Sequence, residues 1–285
     1  MNAICQPCKH EGVGQQHTQR LVAAADVETF QADGAVVVRG LLDGAELELL
    51  AEGIEANLAA PSARAKVASS ADDPGLFIED FCTWTVNPAY ERVIRESAIG
   101  AVGAQLMGSS TARLFHDHLL VKHAGTRQPT PWHQDQPYYN VQGHQNVSFW
   151  IPVDPVALDA TLWFVAGSHL GPWLMPRTFL DAQAKWFPEG TLAEMPTIDP
   201  ATHRIVGWEL ERGDAVAFHM LTLHSSAGST DRRRVFSVRL LGDDMVHAPR
   251  AWATSPDFPG LAAELPAGAP LDHPLFPLIH PEPST

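Results

Sequence analysis

Between residues 113 and 241 the chain breaks into short β-type runs separated by turn residues, with no helical periodicity between them. The runs cover residues 113–122, 147–153, 161–165, 215–225 and 234–241, and Ala124-Gly125 and Gly167-Ser168 are among the turns. A parallel α/β sheet needs a crossover helix between successive strands, whereas closely spaced strands joined by turns build antiparallel sandwiches and barrels. The expected class is therefore mainly β with flanking helices, a jelly-roll or barrel. A chain of 285 residues fits one such domain, and 45% hydrophobic residues give it ample core.

Helical signals precede that region. Residues 30–42 read as a strand, Ala35-Val36-Val37-Val38, entered through Asp33-Gly34. Asp43 then caps a helix with Glu46 at the capping-box position, and Leu47, Leu50, Ile54 and Leu58 follow at helical spacing. Asn87-Pro88 opens a second helical stretch that extends to about Met107. Residues 1–20 read as a disordered leader, which leaves 21–285 as a single domain. Residues 171–207 are rich in Trp, Pro and Met without a clear period, and read as an insertion near the mouth of the barrel. The Pro-rich tail from Pro266 reads as an irregular strap.

Against 33 acidic side chains there are 19 basic ones, a formal charge of −14. That balance argues against nucleic acid or an anionic membrane as partner, while one or two local arginines can still hold a small anion. Cys5-x-x-Cys8 has no second pair of ligands nearby and reads as part of the leader rather than as a zinc site. Neither a signal-like segment nor a bilayer-length apolar run is evident, so a reducing cytoplasm is expected.

Trp132-His133-Gln134-Asp135 is the densest chemical signal. Alternate residues of a strand share a face, so His133 and Asp135 can point together into a barrel. A second histidine remote in sequence would complete a two-histidine, one-carboxylate triad, the set that holds non-heme Fe(II) with open positions. His224 and His219 compete for that role. Five residues apart on one strand, they face opposite ways, and His224 is preferred because Ser225, Ser226 and a run of arginines follow it. In that run, Arg232-Arg233-Arg234-Val235-Phe236-Ser237-Val238-Arg239, alternation puts Phe236, Val238 and Leu240 on one face and Arg233, Val235, Ser237 and Arg239 on the other. The apolar face suits packing under helices. The mixed face suits the barrel interior, where an arginine can grip a carboxylate with both arms. Arg232 and Arg234 read as solvated.

Together these stretches resemble the phytanoyl-CoA dioxygenase family of Fe(II)/2-oxoglutarate oxygenases. The resemblance runs from about Phe30 to Leu241. It rests on His116-Asp117-His118-Leu119-Leu120-Val121-Lys122, Trp132-His133-Gln134-Asp135, Ser148-Phe149-Trp150-Ile151-Pro152-Val153-Asp154, Phe164-Val165-Ala166-Gly167-Ser168-His169, and His224-Ser225-Ser226 followed by Arg233. It implies a double-stranded β-helix, cupin-like core. It also implies His133, Asp135 and His224 as iron ligands and Arg233 as the residue binding the distal carboxylate of 2-oxoglutarate. Ser226 would assist that arginine, Trp150 would line the cosubstrate site, and His116 would contact cosubstrate or substrate. From the strands alone, Trp150 suits a core aromatic as well, His116 and His118 suit buried polar positions, and His169 suits a turn.

The implied reaction consumes 2-oxoglutarate and O2 at Fe(II), releases succinate and CO2, and hydroxylates an organic molecule. Halogenating relatives carry a small residue in place of the metal carboxylate, so Asp135 favours hydroxylation. Candidate substrate contacts are His118, Gln136, Tyr139, Trp163 and Arg239, with Trp173, Met175 and Trp186 from the insertion. Their aromatic content suits a small or medium-sized organic molecule such as a natural-product intermediate. A small anionic metabolite held by Arg239, or an acyl-CoA, are the alternatives. Two other classes use the same ligands, a zinc-dependent hydrolase and a non-catalytic cupin-like binding protein.

Overall fold

The computed structural model describes residues 22–176 and 192–281. The expected leader and Trp186 lie outside these residues, as does the middle of the expected insertion. Capping decides where the first elements begin and end. α1 (Ala24–Asp33) stops at Gly34, whose φ of 76° and N–H bond to the Phe30 carbonyl form a left-handed cap. Residues 30–33 are thus the last helical turn rather than strand, because Asp33-Gly34 ends a helix here, and β1 is confined to Ala35–Val38. α2 (Gly44–Ala59) opens with the expected capping box between Asp43 and Glu46 and buries Leu47, Leu50 and Ile54. α3 (Pro88–Glu96) is capped by Asn87, and the helical stretch after it restarts as a separate α4 (Ile99–Met107).

The remaining strands are β2 (Lys66–Val67), β3 (Phe77–Phe81), β4 (Ala112–Lys122), β5 (Thr130–His133), β6 (Val141–Gln142), β7 (Asn146–Pro152), β8 (Leu162–Val165), β9 (Ile205–Val206), β10 (Ala215–Phe218), β11 (His224–Ser226), β12 (Arg233–Leu241), β13 (Val246–His247) and β14 (Leu278–His280). A short helix, α5 (Leu261–Glu264), lies between the last two. Among the described residues the larger sheet runs β1-β10-β7-β12-β4-β3-β2, with β14 also on β4, and a smaller sheet runs β5-β11-β8-β9. All of their pairings are antiparallel. This is the mainly β jelly-roll expected from the strand pattern.

Alternation along β12 sorts its residues as its sequence does. Phe236, Val238 and Leu240 pack outward with Leu50, Ile54, Tyr90, Val93 and Val102 of the covering helices. On the inner face, Val235, Trp150, Val216 and Phe218 meet Leu162 and Phe164 of the smaller sheet. The Phe164 and Phe218 ring centroids are 5.2 Å apart. The space left between the two sheets is the cavity.

One expected strand is broken. Residues 215–225 divide into β10 in the larger sheet and β11 in the smaller one, joined by a crossing segment at residues 219–223. His219 N–H bonds to the Gly34 carbonyl and Thr222 N–H turns back to the His219 carbonyl. The parity argument that separated His219 from His224 therefore does not operate, although the two histidines do part company. His219 sits against the His144 and His169 rings, with Nε2 2.9 Å from the His144 carbonyl and Nδ1 accepting from Leu221 N–H.

Candidate active site

β11 lies beside β5 with His224 directly opposite His133. The strand ends at His133, and Asp135 has turned into the α region (φ −79°, ψ −46°) at the start of a short 3-10 turn. The two side chains converge through this turn and not through strand alternation, because the crossing segment holds it. The Met220 carbonyl accepts from both Asp135 N–H (2.8 Å) and Gln136 N–H (3.0 Å).

The three expected ligands meet. Asp135 Oδ1 is 3.4 Å from His133 Nε2 and 3.7 Å from His224 Nε2, and one ligand atom from each residue lies within 4.8 Å of the others. All three side chains are buried. The remaining ring nitrogens are committed elsewhere, His133 Nδ1 to the Pro131 carbonyl at 2.8 Å and His224 Nδ1 to the Thr222 carbonyl at 2.9 Å. Those bonds fix the tautomer that turns each Nε2 lone pair towards Asp135, as a metal ligand requires. Burial, then the neighbouring His133, pushes His224 down to about 3, so it is a neutral donor at physiological pH. Burial opposes the charge on Asp135, but the Arg239 guanidinium and the two histidines outweigh it and hold the carboxyl well below its usual range. The donor set fits a divalent metal.

A second charged locus lies at the other end of β12. Arg233 and Lys122 face each other across the β12–β4 ladder, and both are buried. Arg233 donates to the Ala160 carbonyl and lies 5.3 Å over the Trp150 ring. Lys122 Nζ donates to the carbonyls of Ala227 (2.7 Å) and Gln128 (2.8 Å) and sits 3.4 Å from Ser226 Oγ. Among the described residues neither cation has a carboxylate partner. Burial lowers Arg233 to about 10, and burial with the nearby Arg233 lowers Lys122 to about 7. Arg233, which lines the cavity without a carboxylate partner among the described residues, could hold an anion, and Lys122 on the neighbouring strand adds positive charge nearby. Lys122 went unassigned in the sequence reading, yet its signal is there: alternation from His116 and His118 places Leu120 and Lys122 on the same inward face.

A cavity of about 360 Å³ joins the two loci. His133, Asp135, His224, Arg233, Ser226 and Trp150 all line it, as do His118 and Tyr139 among the proposed substrate contacts. Other expected contacts are placed elsewhere. Gln136 is buried outside the cavity, bonded to the Gly143 carbonyl and accepting from Asn146. Trp163 lies on the opposite face of β8 from Leu162 and Phe164, against Gly207. His116 sits behind the wall, edge-on to Phe115 and Tyr139. Arg239 does line the cavity: its Nη2 donates to Asp135 Oδ2 at 3.1 Å, while among the described residues its Nε and Nη1 have no partner. Trp173 packs beneath Arg250, 5.0 Å from ring centroid to guanidinium carbon, and Met175 is buried away from the cavity. Arg232 and Arg234 reach outward to Glu55, and Arg234 also pairs with Asp154. Glu79 and Phe81 of β3, absent from the sequence reading, complete the wall beside His118.

This arrangement of candidate metal ligands and a buried arginine around one jelly-roll cavity fits a non-heme iron oxygenase that uses 2-oxoglutarate. The phytanoyl-CoA dioxygenase (PhyH) family model matches residues 30–235, and the chain belongs to that family. Among solved structures it is similar to the epimerase SnoN from nogalamycin biosynthesis, in complex with Fe3+, alpha ketoglutarate and nogalamycin RO. That likeness has a TM-score of 0.72 at 24% identity, over 90% of this chain and 97% of the other. The carbocyclase SnoK, described as non-heme and alpha ketoglutarate dependent, matches with a TM-score of 0.70 at 20% identity, over 90% and 96% of the two chains. EctD from S. alaskensis with 2-oxoglutarate and 5-hydroxyectoine matches at 0.60 and 16%, over 87% and 85%. No curated protein matches the chain. The protein is thus an enzyme of the Fe/2-oxoglutarate-dependent oxygenase superfamily, with iron and 2-oxoglutarate as cofactors. No helix among the described residues is long and apolar enough to cross a membrane.

Proposed function

We propose that the protein is a dioxygenase that hydroxylates a small or medium-sized organic molecule, such as a natural-product intermediate, with release of succinate and CO2. The observation that carries this reading is the presence of Asp135 as a buried, charged third ligand beside His133 and His224. When bound, iron and 2-oxoglutarate supply the oxygen activation and C–H oxidation.

The chain's own residues position and shield. His133, Asp135 and His224 would hold the iron. Arg233 would hold the distal carboxylate of 2-oxoglutarate, with Ser226 beside it, Trp150 as a flat wall and the Lys122 charge on the neighbouring strand. Tyr139, Phe81 and His118 would bound the substrate and keep bulk water out. A zinc hydrolase would have no use for a buried arginine without a carboxylate partner at the far end of the cavity, Arg233, which leaves the cosubstrate reading stronger.

The neighbouring epimerase and carbocyclase favour a second reading, oxidation without oxygen insertion. Turnover under 18O2 with a substrate found by succinate-coupled screening separates the two. Hydroxylation puts 18O in the organic product as well as in succinate. Label in succinate alone would replace hydroxylation with epimerisation or ring closure.

A further inference from the structure

We infer that the substrate half of the cavity is built for an uncharged ring compound carrying a hydroxyl, with His118 accepting the hydroxyl's hydrogen bond; the inference rests on the oxygenase reading of the same cavity. The wall in question is formed by β3 and β4. Phe81 and His118 are paired across the ladder, and their rings stack with centroids 3.9 Å apart and planes 21° off parallel. His118 Nε2 stands 3.2 Å from Glu79 Oε1, an ion-pair distance without hydrogen-bond alignment. Glu79 is 2% exposed, and Lys66 Nζ pins its other oxygen from the rim at 3.4 Å.

This arrangement sets the polarity of the imidazole. Burial opposes the Glu79 charge, but His118 and Lys66 outweigh it and hold the carboxyl down at about 2. An ionised carboxylate beside Nε2 favours the Nε2–H tautomer, which leaves the lone pair on Nδ1. His118 is 7% exposed and its ring lines the cavity, yet Nδ1 has no protein partner among the described residues. Unlike Nε2, Nδ1 is not sealed from the cavity, and it can accept from a donor there. Burial, against the pull of Glu79, lowers His118 to about 4, so it is an acceptor at neutral pH and not a cation.

Charge narrows the donor further. Among the described residues, each cation near His118 is balanced by a carboxylate, and the others are remote. Lys66 is on Glu79 and Arg239 on Asp135. Lys122 and Arg233 lie in a row of the sheet four residues along β4 from His118, about 13 Å at strand rise. A carboxylate or a CoA phosphate would lie beside the Glu79 charge, which Lys66 already balances, and would find no net positive charge there. An ammonium group would meet Lys66 and Arg239, both of which act on His118. A neutral hydroxyl meets neither penalty. The aromatic and apolar surfaces of Phe81, Tyr138, Tyr139 and Val67 around it suit a ring.

A matched trio tests this: 2-naphthol, naphthalene and 2-naphthoate, titrated by calorimetry into the protein loaded with Fe(II) and 2-oxoglutarate without oxygen. One neutral hydrogen bond in a buried site predicts 2-naphthol binding about 10-fold tighter than naphthalene, with 2-naphthoate weakest. His118→Phe should erase the naphthol preference and leave naphthalene binding, and His118→Gln, whose amide oxygen can accept, should restore part of it. The visible charge-transfer band formed by iron and 2-oxoglutarate reports the other end of the cavity. Its persistence in both variants shows that they are folded, and its absence from the wild type would overturn the oxygenase reading itself. The inference is overturned if 2-naphthoate binds as tightly as 2-naphthol, if 2-naphthol shows no preference over naphthalene or no binding, or if the preference survives His118→Phe.

Discussion

Arg239 donates through Nη2 to Oδ2 of Asp135 at 3.1 Å, while the carboxylate's other oxygen, Oδ1, is the one that faces His133 and His224. One guanidinium thereby fixes which oxygen is offered to the metal and keeps the buried carboxylate charged. Partners of this kind commonly contribute 10- to 100-fold to metal affinity. Arg239→Met should weaken Fe(II) or Co(II) binding by roughly that factor, and Arg239→Lys should recover part of it, since a lysine keeps the charge but not the planar fork. A metal titration on folded variants measures this. Unchanged affinity in Arg239→Met would mean that the contact is structural decoration.

The arginine triplet gives a sharper contrast. Arg233 faces the cavity without an acidic partner, whereas Arg232 is exposed and paired with Glu55. Loss of a charged hydrogen-bond donor predicts a rise of roughly 10- to 100-fold in the 2-oxoglutarate KM for Arg233→Ala. Arg232→Ala should leave the KM unchanged and stability within about 0.5 kcal/mol, as is usual for an exposed pair. A steep KM effect in Arg232→Ala instead would move the cosubstrate grip by one residue.

Because Lys122 feels the Arg233 charge, a carboxylate held by Arg233 should make cosubstrate binding depend on pH. Burial and Arg233 lower it to about 7 in the free protein. A bound carboxylate favours the charged amine, so its pKa is higher in the complex. Binding then takes up a proton above about pH 7, and affinity falls as pH rises through that window. Calorimetry in buffers of different ionisation enthalpy should find uptake approaching one proton near pH 8 and almost none near pH 6. Lys122→Met should bind more weakly at the lower pH and lose the uptake. For folding of the free protein the sign is opposite to that for binding. The unfolded lysine holds its proton to a higher pH than the folded one, so this group's cost to stability is relieved as pH rises above about 7.

Arg250 ties three segments together. Its guanidinium carbon lies 5.0 Å from the Trp173 ring and 5.9 Å from the Trp252 ring, and it donates to the carbonyls of Tyr139 and Val141. Arg250→Ala should lower unfolding stability by about 1–3 kcal/mol and change tryptophan emission, as read by denaturant titration. Wild-type stability in this variant would show that the rings close over the gap unaided.

The sequence made the fold class and the metal ligands readable because both follow from short-range regularities, strand alternation and a compact ligand motif. The outward packing of Phe236, Val238 and Leu240 was legible for the same reason. What was hidden depends on chain reversals. Residues 215–225 look like one strand, and nothing local marks the bend at 219–223 that carries His224 into the second sheet. Asp135 does meet the two histidines, but the Met220 carbonyl and not the pleat aims it. Arg239 looked available because the residue that engages it is over a hundred positions away in the chain. Glu79 was invisible because its strand is short and pairs only through β4 and β2.

The central claim is that one cavity holds Fe(II) on His133, Asp135 and His224 and 2-oxoglutarate on Arg233. Anaerobic addition of Fe(II) and then 2-oxoglutarate, followed by visible absorption, tests it most directly. A metal-to-ligand charge-transfer band should appear and saturate with 2-oxoglutarate. It should be absent from Asp135→Ala and need far more 2-oxoglutarate in Arg233→Ala. Bound iron with no such band in the wild type, or a band indifferent to both substitutions, would contradict the assignment.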